Sequence, residues 1–226
     1  LEIIREAAGD DTFLLGCTCH FLPAAGLVDG MRVGPDVKAV WNDGPNPSVR
    51  HAMRMTLARN WMHGKWWAND PDCLIVRDTD TALSEAETRF LATGIALSGG
   101  MVVASDDLPA VPEARRAMAL TLFPPTGVAA LPYDPGEGPV AGAWRADLGE
   151  GRALVGALNW DDTPRWVVWT ELLRPGEVAF DVWNARLAGM GDLLLRPHEG
   201  VLLQVTAMGQ APRLVGDSGS LTRKDL

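Results

Sequence analysis

The sequence lacks the features that define several large classes of protein. It has 20 Lys and Arg against 29 Asp and Glu, a net charge of −9, and no basic cluster, so we expect no nucleic-acid partner. No apolar run approaches the roughly 20 residues of a membrane helix, so we expect no membrane partner. Three cysteines do not make a disulfide framework and suit a reducing compartment, which favours a cytoplasmic protein.

Aromatic residues are also unevenly used, with one Tyr against nine Trp. Indole faces stack well on sugar rings, and they also fill protein cores. The count alone favours core filling. Because several Trp neighbour the candidate site residues described below, sugar contact stays open as the alternative.

Residues 1–122 alternate short apolar runs with amphipathic helical patterns, which is typical of βα units. Strands are predicted at residues 12–17, 28–33, 65–67 and 100–104. Ser48 is predicted to cap one helix, and Ser84 with Glu87 has the capping-box form. The chain begins at Leu1 within a helical pattern, so we expect an upstream segment, and secretion stays open. Four strand–helix units would make half of a (β/α)8 barrel.

Residues 123–226 have a different pattern, with short β-rich runs separated by Gly, Pro and Asp. These runs are residues 140–146, 153–158, 165–169, 177–182, 192–196 and 200–206. The predicted fold class is α/β plus all-β. It consists of the C-terminal half of a TIM barrel at 1–122, followed by an antiparallel β-sandwich at 123–226.

Polar clusters follow all four predicted barrel strands, at residues 17–20, 32–36, 69–72 and 105–107. In a parallel barrel the active site is built from the loops at this end of the strands. Asp36 follows Gly34 and Pro35, and residue types alone favour a turn-forming role for it. Glycoside hydrolysis commonly uses a carboxylic acid to protonate the leaving oxygen, and Arg32 could hydrogen-bond sugar hydroxyls.

Several motifs occur in the same order as in a known enzyme family. The run Val28-Asp29-Gly30-Met31-Arg32-Val33-Gly34-Pro35-Asp36, with Leu14-Leu15-Gly16-Cys17 before it, resembles glycoside hydrolase family 36, the bacterial α-galactosidases. The run Trp67-Ala68-Asn69-Asp70-Pro71-Asp72-Cys73-Leu74 resembles the Trp-x-Asn-Asp-Pro-Asp-x-Leu motif of that clan. Residues 97–109, 159–161, 181–183 and 197–201 resemble its last barrel strand and C-terminal sandwich.

The resemblance implies a retaining enzyme that cleaves terminal α-galactosyl groups from oligosaccharides. Asp36 would be the general acid/base, and Arg32, Cys17 and Trp67 would bind the substrate. Asp70 and Asp72 are interpreted as structural carboxylates that hold their loop through backbone hydrogen bonds, because turn chemistry accounts for them. No cofactor is implied. The intact enzyme could be a homo-oligomer.

Two features depart from the family pattern. Thr18-Cys19-His20 replaces the usual small residues and Pro, and no second Cys/His cluster completes a metal site, so no metal is expected. The family nucleophile lies upstream of Leu1, so we expect this chain alone to be inactive. A different sugar such as α-N-acetylgalactosamine, glycosyl transfer, or a non-catalytic carbohydrate-binding or scaffold role remain as alternatives. His51, His63 and His198 are interpreted as helix, packing and turn residues.

Overall fold

The computed structural model describes residues 1–134, 140–168, 172–188, 192–209 and 215–222. Up to residue 121 the chain consists of parallel strands and helices. The strands of this part are β1 (Leu15–Gly16), β2 (Gly30–Arg32), β3 (Ala68–Asp70), β4 (Cys73–Leu74) and β5 (Val103–Ala104). Its helices are α1 (Glu2–Ala8), α2 (Phe21–Ala24), α3 (Val49–Ala58), α4 (Glu85–Ser98) and α5 (Glu113–Thr121), with a 3-10 turn at Asn60–Met62.

The parallel strands lie in the order in which they occur in the sequence. β1, β2 and β3 form one sheet, in which Arg32 lies opposite Asp70, and β4 pairs with β5. The Met101 amide donates to the Asn69 carbonyl at 2.8 Å, so the segment before β5 continues the layer beyond β3. A positive φ of 75° at Asp72 turns the chain between β3 and β4.

Two strand predictions were wrong in position. Residues 65 and 66 form a turn, and Trp67 makes only an isolated bridge with His63. β3 begins at Ala68, so Asn69 and Asp70 belong to the strand itself. The strand expected to be buried at 12–17 is limited to β1, where Leu15 is 43% exposed. β1 is the edge of its sheet, and among the described residues no strand pairs with its outer side.

The predicted helix starts are confirmed at two positions. Ser48 Oγ accepts a hydrogen bond from the His51 amide at 3.3 Å, and Ser84 and Glu87 form both bonds of a capping box at α4. These signals are local, and they do not depend on how the helices pack. α1 also forms where the pattern predicted a helix, but its apolar residue Ile3 is 81% exposed.

The second part of the chain is antiparallel. Its strands are β6 (Leu131–Asp134), β7 (Ala143–Gly149), β8 (Arg152–Leu158), β9 (Arg165–Val167), β10 (Glu177–Asp181), β11 (Arg186–Leu187), β12 (Leu193–Leu195) and β13 (Gly200–Ala207). Six of them form a sheet in the order β11-β10-β13-β8-β7-β6, and β9 pairs with β12 in a second layer. Trp169, the end of the predicted 165–169 run, lies outside the described residues.

Helix α4 lies between the two parts of the chain. Its buried residue Leu97 packs so closely on β8 that a Cβ at Gly156 would lie 2.6 Å from the Leu97 Cδ1 atom. Thr93 meets β13 in the same way, where a Cβ at Gly200 would lie 2.8 Å from the Thr93 Oγ1 atom. One apolar cluster therefore includes residues of both parts. The division into domains at 122/123 remains a prediction.

Six of the eight tryptophans whose side chains the structure describes lie in an apolar cluster or pack against one, in line with core filling. Trp41, Trp67 and Trp144 are less than 9% exposed, whereas Trp61 is 44% and Trp166 is 62% exposed. No helix among the described residues has the length and apolar character needed to cross a membrane.

Candidate active site

Arg32 lies at the end of β2 and contacts three carboxylates. Its Nε donates to Asp70 Oδ2 at 3.0 Å, and its Nη1 lies 3.0 Å from Asp72 Oδ2 and 3.5 Å from Asp36 Oδ1. Register explains the first contact, because Arg32 and Asp70 are paired residues of β2 and β3. The Nη2 group takes part in none of these contacts. Arg32 is therefore a fixed cation whose Nη2 group, within the described part of the chain, is available to a ligand.

Asp70 and Asp72 also hold the backbone. Asp70 Oδ1 accepts from the Asp72 amide at 2.8 Å, and Asp72 Oδ2 accepts from the Val37 amide at 2.7 Å. The side chains of Asp70 and Asp72 are 1% and 6% exposed. This geometry agrees with the structural interpretation of both carboxylates. It also adds a partner, Arg32, which the sequence did not reveal.

Asp36, by contrast, faces solvent, with 76% of its side chain exposed. It lines an open cleft of about 460 Å³ together with Cys17, Arg32 and His20. Cys17 follows β1 and Arg32 ends β2, so the C-terminal ends of neighbouring parallel strands meet in this cleft. The structure thus brings three of the four predicted site residues together.

Trp67 is the site residue that does not line this cleft. It precedes β3, whereas Asp70 ends that strand, so Trp67 lies at the opposite end of the sheet. Its side chain belongs to an apolar cluster and packs against Phe21 with a ring-centroid distance of 5.4 Å. The prediction that Trp67 contacts the sugar finds no support in this position.

Arg59 is a cleft residue that sequence reasoning missed. It follows α3, donates from Nη1 to the Val33 carbonyl, and lies with its Cζ atom 5.0 Å from the centroid of the Phe21 ring. Desolvation by burial lowers the pKa of this guanidinium. Arg59 thereby fixes the backbone directly after Arg32. No local sequence signal marked it, because its partners lie in other elements.

The Arg32 guanidinium is held in its charged form by its neighbours. Burial disfavours the charge, but the hydrogen bond and charge of Asp70 and the charge of Asp72 outweigh it and raise the pKa of Arg32. In the nearby Cys73 thiol the uncharged form is the one that is favoured. Its burial, with a hydrogen bond to Asp72, raises the pKa of Cys73 and disfavours the thiolate.

The last polar cluster, residues 105–107, holds a loop in place. The buried Asp106 carboxylate accepts from the Val76 amide at 2.5 Å and from the Arg77 amide at 2.9 Å. Arg77 Nη1 completes this arrangement at 2.7 Å from Asp106 Oδ1. These bonds account for both oxygens of Asp106. They leave no basis for a catalytic role of this carboxylate.

Within the described ranges no group of three or more His, Cys, Asp or Glu is arranged to hold a metal ion. The retaining mechanism needs a second carboxyl group about 5–5.5 Å from the acid/base. Asp70 and Asp72 are the buried carboxylates beside Arg32, and both are engaged by Arg32 and backbone amides. Neither is free to serve as a nucleophile.

Solved structures show where this fold occurs elsewhere. α-Galactosidase I from Mortierella vinacea matches with a TM-score of 0.65 and 15% identity, over 84% of this chain and 56% of that chain. A GH27 β-L-arabinopyranosidase from Geobacillus stearothermophilus, in complex with arabinose, matches with a TM-score of 0.72 and 16% identity, over 92% and 54%. An isomalto-dextranase from Arthrobacter globiformis T6, complexed with panose, matches with a TM-score of 0.64 and 19% identity, over 94% and 40%.

The chain therefore has a fold of the α-galactosidase-like glycosidases and spans about half the length of the structures it matches. At these identities the likeness concerns the fold alone. It does not single out family 36, since a family 27 enzyme matches as well. No family model matches the chain.

Proposed function

We propose that this chain is part of a retaining glycoside hydrolase that cleaves terminal α-galactosyl groups from oligosaccharides. The observation that carries the proposal is the cleft in which Cys17, Arg32 and Asp36 meet at the C-terminal ends of β1 and β2. That end of parallel strands is where barrel enzymes assemble their active sites. The fold shared with α-galactosidase-like glycosidases supports the same reaction class.

In this proposal Asp36 is the general acid/base. Its exposed carboxyl group lies 3.5 Å from Arg32 Nη1 and faces the open cleft, where a ligand can reach it. Asp36 protonates the leaving oxygen and, after the glycosyl intermediate forms, removes a proton from the attacking water. Arg32 binds sugar hydroxyls through Nη2, and Cys17 contacts the ring from the neighbouring strand end.

In this proposal the nucleophile comes from residues outside this chain, and the engagement of the buried carboxylates beside Arg32 supports that assignment. The proposal therefore makes separate statements about the chain alone and about the chain joined to an upstream segment. The chain alone does not turn over galactosides, and the chain joined to an upstream segment with the second carboxylate does. Because the second carboxylate is assigned to the upstream segment, a cleft with a single available carboxyl group is compatible with a hydrolase fold.

The test uses the protein that includes the upstream segment and compares its turnover of two substrates. Melibiose has a poor leaving group that needs protonation, whereas 4-nitrophenyl α-galactoside has an activated one. Replacing Asp36→Ala should reduce turnover of melibiose by about 10²- to 10⁴-fold and affect the nitrophenyl substrate far less. Equal loss on both substrates would contradict the acid role, and a set of nitrophenyl glycosides would identify the preferred sugar.

A second candidate is a non-catalytic carbohydrate-binding role, and the observation that favours it is the single available carboxyl group in the cleft. Binding of methyl α-galactoside to both the isolated and the extended chain, with no turnover by either, would support this role. The control for both experiments is Asp107→Asn, since this exposed carboxylate lies outside the cleft lining.

A further inference from the structure

His198 connects three separate segments of the molecule. It occupies the turn between β12 and β13 with a positive φ of 56°. Its Nδ1 lies 3.0 Å from Glu87 Oε1 on α4, and its Nε2 lies 2.7 Å from Asp162 Oδ1 in the loop after β8. Its ring stacks on Trp41 with a centroid distance of 4.2 Å and an interplanar angle of 19°.

The turn that carries His198 is stabilised without these contacts. The Glu199 amide donates to the Arg196 carbonyl at 3.2 Å, and the Arg196 and Glu199 side chains form a 2.8 Å ion pair. Asn159 Nδ2 donates to the Arg196 carbonyl at 2.8 Å. The His198 side chain is thus not needed to form its own turn. Its contacts with Glu87 and Trp41 reach outward, to the other part of the chain.

Trp41 belongs to the loop of residues 33–48, which joins β2 to α3 and includes Asp36. One end of this loop is held by Asp72 through the Val37 amide. Farther along, Trp41 is 8% exposed. Its ring is nearly perpendicular to the Phe90 ring at a centroid distance of 4.8 Å, and it stacks on the His198 ring. Asp36 also contacts Arg32 at 3.5 Å, and three backbone hydrogen bonds reach the loop from outside it, so the Trp41 ring is one of several attachments of this loop.

We propose that His198 is a positioning residue, which holds the Asp36-bearing loop through Trp41 while Glu87 fixes the imidazole ring. Glu87 is well placed for this, because its Oε2 caps α4 through Ser84 and its Oε1 is left for His198. The importance of the loop for catalysis rests on the proposed function. Its attachment through His198 does not depend on that function.

Hydrogen exchange measured by NMR on the full 226-residue chain tests this attachment directly. Three amides outside the loop donate to loop carbonyls: Val49 to Val40, Arg50 to Trp41, and Ala82 to Ala39. The His198→Asn variant suits this turn because asparagine tolerates a positive φ. In this variant, exchange at the three amides should be at least about tenfold faster, which corresponds to a decrease of about 1.4 kcal/mol in the free energy of local opening. Amides inside α4 and β13 should change by less than about twofold in their exchange rates.

His198→Gly is a second variant that fits the same backbone conformation.

A double substitution distinguishes positioning from general destabilisation. In a Trp41→Leu background, His198→Asn should cause little further acceleration, because the stacking partner is already gone. Asp162→Asn is the matched control, and it should have a small effect since that carboxylate is 95% exposed.

Unchanged exchange at Val49, Arg50 and Ala82 would overturn the proposal, and so would a uniform acceleration that includes β13. Equal acceleration with and without Trp41 would overturn the route through the stacked ring. None of these results bears on galactoside turnover, so the proposed function and the positioning role can fail separately.

Discussion

Replacing Asp70→Asn tests whether the buried carboxylate beside Arg32 stabilises the site. The substitution keeps an oxygen for the Asp72 amide but turns an NH₂ group toward the Arg32 Nε–H. It therefore removes a charge-assisted bond of 3.0 Å whose acceptor is 1% exposed. Such bonds contribute about 1.5–3 kcal/mol, and loss of a buried ion-pair partner costs about 3–5 kcal/mol. Because Arg32 keeps Asp72, we expect a loss of about 2–3 kcal/mol in the free energy of unfolding.

Asp36→Asn is the matched control for this measurement. It removes a carboxylate from the same Arg32, but at 3.5 Å and with 76% of the side chain exposed, so we expect about 0–1 kcal/mol. Urea denaturation followed by Trp fluorescence and circular dichroism gives both values. On heating, the Asp70 variant should melt about 4–12 °C lower, from about 2–4 °C per kcal/mol. Equal and small losses in the two variants would refute the reasoning.

Three further changes follow from burial and close packing. Iodoacetamide should modify the exposed Cys17 faster than Cys73, because burial raises the pKa of the Cys73 thiol, as mass spectrometry of the digested protein would show. Burial lowers the pKa of His63, so stability should fall as pH drops below about 6.5, the unfolded value, and His63→Gln should flatten this slope in urea titrations. Gly100→Ala should cost about 3 kcal/mol or more in the same urea assay, since its Cβ would lie 2.0 Å from the Asn69 carbonyl oxygen.

Each of these results has a contrary outcome. Equal labelling rates for Cys17 and Cys73 in the folded protein would contradict the assigned burial. Stability curves of identical shape for the parent chain and His63→Gln would contradict the pH effect. A neutral Gly100→Ala variant would mean that the β3 backbone does not approach residue 100 closely.

Local signals in the sequence predicted much of the secondary structure. Ser48 and the Ser84–Glu87 pair marked helix starts correctly, because a cap depends on residues within one turn of the chain. Strand bounds were less accurate, since pairing with distant residues decides them. Residues 65–67 include two large aromatic side chains, Trp66 and Trp67, which suit a strand, yet the pairing of Gly30 with Ala68 starts β3 three residues later.

Three residues of the candidate site were predictable from the sequence, whereas Trp67 lies elsewhere, Arg59 was missed and the contacts were not predicted. Asp36, Arg32 and Cys17 were named from motifs and strand ends, and they line one cleft. The contact between Arg32 and Asp70 spans 38 residues and depends on the register of β2 and β3. His198 was interpreted as a turn residue, which its backbone confirms, but its bond to Glu87 spans 111 residues. Such contacts depend on tertiary packing, which periodicity and turn chemistry do not describe.

The packing of α4 between the parallel strands and the antiparallel sheet limits how this chain can be divided. A chain ending at residue 122 would keep α4 but expose Leu97 and Thr93, which now pack against β8 and β13. A chain beginning at 123 would lose the helix that covers the same sheet face. We therefore expect heat or urea to melt both parts in one transition, and proteases to leave no stable half. A mutation in either part would then weaken the other.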